Sequence, residues 1–77
     1  MNNYSVSFRI PVFFPELGQT YFNGSALSGD YFHKGQTVWV KTGFCVFGAE
    51  VIESLPTKRT PEEFKWKLVD GPSEDFA

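Results

Sequence analysis

Between Val12 and Val40 the chain reads VFFPELGQTYFNGSALSGDYFHKGQTVWV, with glycine at positions 24, 29 and 35. An apolar or Thr/Val-rich run flanks each of these glycines. That is the rhythm of short antiparallel strands joined by tight turns, because glycine supplies the backbone conformations turns need and punctuates strands. The same pattern continues outside this stretch. Tyr4, Val6, Phe8 and Ile10 alternate with Ser5, Ser7 and Arg9, a half-buried strand. Pro11 and Pro15 bracket Val12-Phe13-Phe14, and proline is tolerated in sheets only at edges or bulges. Glu16 to Gln19 reads as a turn around Gly18. Thr20 to Leu27 reads as a strand with Gly24 inside it, where a bulge or sharp bend is expected. Ser28-Gly29-Asp30 and Lys34-Gly35-Gln36 are further turns, Thr37 to Lys41 is the strongest strand, and Thr42-Gly43 turns again. Phe44 to Phe47 and Gly48 to Leu55 read as two extended runs.

Helical signals are few. Thr60-Pro61-Glu62-Glu63 is a capping box with proline at the first helical position, enough for one short turn. Phe64 to Leu68 then returns to period two, with Trp66 inward and Lys65 and Lys67 outward. Short strands with turns every 8–12 residues predict an all-β fold. The expected form is a small closed or nearly closed antiparallel β-barrel of about six or seven strands. Residues 1–71 would form it, with an acidic, flexible tail at 72–77.

A chain of 77 residues holds a small core, and its single cysteine, Cys45, allows no internal disulfide. Nine Phe, three Tyr and two Trp must therefore supply the burial. The lone cysteine fits a reducing compartment, and the opening MNNYSVSFRI lacks the pattern of a signal peptide. No apolar run approaches the ~20 residues that span a bilayer, so a cytoplasmic protein without membrane attachment is expected. The net charge of −2 sets up no large positive field for nucleic acid.

Val12-Phe13 followed by Thr20-Tyr21-Phe22-Asn23-Gly24 resembles the opening of the second, β-barrel domain of elongation factor Tu and other translational GTPases. Gly29, then Gly35 before Thr37-Val38-Trp39-Val40, follow that family's glycine order. Gly48 to Glu53 and the closing Leu68-Val69-Asp70-Gly71 are similar to its later strands. The likeness runs from about Phe8 to Gly71 and implies the barrel. Ile10 and Pro11 stand where the family has an acidic pair. Leu17-Gly18-Gln19 stands where it has a Gly-Arg-Gly turn. Those positions help hold aminoacyl-tRNA in elongation factor Tu, so the resemblance implies the scaffold without that site. The GTPase domain has no counterpart here, and no nucleotide is expected.

The chemistry-bearing residues are sparse. His33 and Cys45 are the sole conceivable base and nucleophile. Cys45 lies between Phe44 and Val46, where a free cysteine usually serves as a small core hydrophobe. With no phosphate-binding loop and no metal-ligand spacing, no enzyme, cofactor or metal is expected. Lys58, Arg59, Lys65 and Lys67, with Trp66, form the candidate RNA contact, the alternative to a protein partner. The stronger signal is paired aromatics: Phe13-Phe14, Tyr21-Phe22 and Tyr31-Phe32. Neighbours in a strand face opposite ways, so one ring of each pair leaves the interior. Phe14, Tyr21, Tyr31 and Trp39 are the expected outward rings. They point to binding of a protein partner, or of a second copy as a homodimer.

Overall fold

The computed structural model describes residues 3–71; the expected tail at 72–77 lies outside them. Five strands form the fold: β1 (Asn3–Phe14), β2 (Gly18–Ser28), β3 (Thr37–Thr42), β4 (Cys45–Thr57) and β5 (Trp66–Val69). They close into a barrel in the order β1-β2-β5-β3-β4, with β4 returning to β1. The all-β, closed architecture is the expected one, but it uses five strands rather than six or seven. Pro11 and Gly48 do not end strands. Pro11 lies within β1 opposite Tyr21, and Gly48 lies within β4 opposite Trp39. A ring of five cannot be antiparallel throughout, because an odd cycle cannot alternate direction. The parallel pair is β2 with β5, through Ala26↔Trp66 and Leu27↔Lys67.

Alternation builds the core as the sequence implies. Val6, Phe8 and Ile10 of β1 meet Ala26 of β2, Val38 and Val40 of β3, and Ala49 and Val51 of β4, all buried. Tyr4, Val12, Phe32, Trp66 and Leu68 pack against this cluster. The bulge lies not at Gly24 but in β4. Ser7 pairs with Glu53 and Phe8 with Val51, leaving Ile52 unmatched. The expected capping turn forms over Pro61–Glu63, and the Glu63 carboxylate accepts the Thr60 backbone N–H at 2.7 Å.

The two ends of the barrel differ. One is plugged by the segment 29–36. Phe32 drops onto the core, and Ser54 Oγ accepts its N–H at 3.3 Å while donating to its carbonyl at 2.7 Å. Gly35 N–H donates to the Val51 carbonyl and Val51 N–H to the Gln36 carbonyl, each at 2.9 Å. These bonds tie the segment to β4.

The other end is open, because the β1–β4 ladder stops at Arg9↔Glu50. Beyond it, among the described residues, Ile10–Phe14 pairs only with β2, and Cys45–Ala49 pairs only with β3. Pro11 has no N–H to offer β4, and the bulge adds twist to the strand it would have met. Two hairpin arms therefore stand above the ring. At about 3.3 Å per residue, the first overhangs the last rung by about 17 Å. Its tip is a three-residue connection in which Leu17 N–H donates to the Phe14 carbonyl at 3.1 Å. Gly18 follows at φ +79°, the left-handed position such a turn requires. The second arm turns through Gly43-Phe44, with Gly43 at φ +57°, as a type II′ turn demands of its first central residue.

Candidate functional site

The inward-facing positions of both arms continue the core into the open end. Ile10 and Val12 come from β1, Phe22 from β2, Thr42 from β3 and Phe47 from β4. Together with Trp66 of β5 they line a cleft of about 350 Å³. Thr42 brings the one side-chain hydroxyl; the rest of the lining is hydrocarbon and indole. Trp66 forms the floor, edge-on to Phe8 with ring centroids 5.4 Å apart and to Phe47 at 6.0 Å. Gly24 makes that floor possible. A Cβ there would lie 2.8 Å from Trp66 Nε1 and 2.9 Å from Phe8 Cζ.

Around this mouth large apolar side chains face solvent. Phe22 is 57% exposed and Phe47 38%, while Phe13 reaches 71%, Leu17 81% and Phe44 99%. With about 200 Å² per aromatic ring, the phenylalanines of this end expose on the order of 600 Å². Phe13 lies on the outer side of its arm, so this area is divided between the mouth and the arm's other face.

The rings expected to face outward do not gather here. Phe14 is the first correction: it shares a face with Phe8, Ile10 and Val12, and Phe13 is the ring that points away. Phe14 is 39% exposed because the arm outruns the barrel. Tyr21 lies on the arm's other face, with the Arg9 guanidinium 4.5 Å from its ring centre. Arg9 Nε also donates to Glu50 Oε1 at 2.7 Å, closing the last rung of the ladder. That hydrogen bond and the carboxylate's charge raise the Arg9 pKa above its usual value. Tyr31 is at the plugged end, edge-on to Tyr4 at 5.4 Å and to His33 at 5.0 Å. Trp39 lies on the outer face of β3 over Gly48, where a Cβ would come within 3.3 Å of its ring. The four residues are thus dispersed, and only Phe14 adjoins the mouth.

The basic set also divides. Lys65 and Lys67 join Lys41 around a groove of about 580 Å³, whose rim is Thr42-Gly43 and which Asp70 also borders. Lys67 stands directly opposite Lys41 across the β3–β5 ladder. Lys58 and Arg59 do not line it. Arg59 instead donates to the Glu63 carbonyl at 3.1 Å and lies 4.5 Å above the Phe64 ring.

Cys45 is exposed rather than a core residue, because its apolar neighbours lie on the overhanging arm. His33 is at the plugged end, its backbone N–H bound to Gln36 Oε1 at 2.6 Å. The only thiol and the only imidazole are therefore not brought together. Among the described residues no cluster of three or more His, Cys, Asp or Glu is placed to hold a metal, and no helix is long and apolar enough to cross a membrane.

Sequence reasoning missed Phe22, Phe47 and Trp66 as a group. Their joint position depends on which strands outrun their partners, which local alternation does not encode. Compared with family models, curated proteins and solved structures, the chain matches none.

Proposed function

We propose that this protein is a non-enzymatic binding module that receives a protein partner in the open mouth of its barrel. The observation that carries this reading is the mouth itself: a hydrocarbon cleft over Trp66, walled by two arms whose phenylalanines face solvent. An isolated two-stranded ribbon is marginal in water, so a partner filling the space between the arms would also stabilise them. A cytoplasmic setting accords with the single cysteine, left exposed as a thiol.

The groove bordered by Lys41, Lys65 and Lys67 favours a second reading, RNA or ribosome binding, which the likeness to translation factors also suggests. Affinity capture separates the two. A partner that co-purifies after nuclease treatment, and is lost when Phe22→Ser and Phe47→Ser are combined, supports the mouth. Capture that nuclease abolishes and those substitutions leave intact overturns it in favour of RNA.

A further inference from the structure

We infer that the mouth takes an extended, acidic segment of a partner protein that inserts one large apolar residue. This rests on the reading of the mouth as a protein-binding site and adds the chemistry of the occupant. Three observations converge on it. First, the cleft of about 350 Å³ has the volume for one or two large side chains and a lining nearly free of polar groups. It would therefore accept an aromatic or branched aliphatic residue and reject a charge.

Second, the lysine groove begins where the mouth ends. Thr42 lines both, and Trp66, the floor of the mouth, sits between Lys65 and Lys67 in the chain. A segment crossing the rim at Thr42-Gly43 passes from hydrocarbon to ammonium groups within a few residues. Lys65 and Lys67 both border the groove, so carboxylates laid along it would meet their two ammonium groups.

Third, the walls offer unpaired strand edges. Among the described residues, Ile10–Phe14 has no strand partner on its side away from β2, and Cys45–Ala49 has none on its side away from β3. The latter stretch carries no charge and no proline, the kind of edge that accepts another strand through main-chain hydrogen bonds. An extended peptide meets all three features; a folded RNA would use only the lysines.

The test selects short random peptides displayed on phage against the intact protein. Synthetic copies of the winners are then measured by fluorescence anisotropy. The expected winners carry an aromatic or large aliphatic residue with Asp or Glu close by. Their affinity should fall about tenfold in Lys65→Glu/Lys67→Glu and weaken as salt rises, from two exposed charge contacts of modest strength each. Phe22→Ser should weaken them similarly, and circular dichroism should find both variants folded. Apolar winners without acids, indifferent to the lysine reversal, overturn the acidic occupant while leaving the mouth as a binding site. Winners indifferent to Phe22→Ser and Phe47→Ser, or no enrichment, overturn both. An oligouridylate that displaces the peptides, and that loses affinity with the lysines but not with Phe22, assigns the groove to RNA and overturns the inference.

Discussion

Gly24→Ala places a methyl group where Trp66 Nε1 and Phe8 Cζ would be 2.8 and 2.9 Å away. Real Cβ atoms do not approach that closely, so one ring must move. Phe8 has no exposed surface and is among the largest fully buried side chains, which leaves Trp66 to swing into the mouth. Forcing a methyl into a packed core costs about 1–3 kcal/mol. Replacing glycine within a strand returns about 0.5–1 kcal/mol by restricting the unfolded chain. The net expectation is a loss of about 1–2 kcal/mol. For a domain of this size that lowers Tm by roughly 5–15 °C. Urea or thermal unfolding followed by far-ultraviolet circular dichroism measures it. A Trp39→Phe background makes the remaining emission report Trp66 alone, and that emission should shift as the ring gains solvent. Gly29→Ala is the control, since nothing lies within 4 Å of its Cβ and its φ is not positive. A Gly24→Ala protein as stable as the parent, with unchanged Trp66 emission, would refute the placement of Trp66 over Phe8 and with it the floor of the mouth.

Gly18→Ala meets no neighbour but must hold φ +79°, so it should destabilise the first arm by about 1–2 kcal/mol. Hydrogen exchange should speed up in Ile10–Phe22 before it does in the ring. Phe44→Ser removes a ring that is 99% exposed, so unfolding should shift by no more than about 0.5 kcal/mol while concentration-dependent light scattering falls. Cys45 should be alkylated by iodoacetamide in the native state without loss of fold, because it is exposed and far from His33. A protected thiol would mean that the second arm folds back on the barrel.

Much of the ring was legible in the chain. Val6, Phe8 and Ile10 against Ser5, Ser7 and Arg9 gave an unambiguous inward face, and Lys34-Gly35-Gln36 and Thr60 to Glu63 formed the turns their residues imply. Pro11 and Gly48 misled for the same reason. In the sequence each stands as an interruption, yet each is accommodated by its setting: Pro11 where β1 pairs with β2 and not with β4, Gly48 beneath the Trp39 ring. Breaking the strand at Pro11 severs Phe13 and Phe14 from the parity set by Phe8 and Ile10, which shifts their expected faces by one residue. The candidate site was less legible. Its members come from all five strands and meet only because β1 has 12 residues while β5 has four. That mismatch is a property of topology and register, which alternation alone does not carry. The paired aromatics predict exposed rings as a class, and the structure places most of the exposed rings at one end.

The proposed function places a partner in the open mouth and not on the flanks of the barrel. Site-specific photocrosslinking in cells tests it most directly, with a benzophenone side chain placed at Phe22 and, separately, at Leu55, a residue 52% exposed on β4 within the ring. A discrete, nuclease-resistant protein adduct is expected from position 22 and none from position 55. Adducts of equal yield from both positions, or only nuclease-sensitive ones, would contradict it.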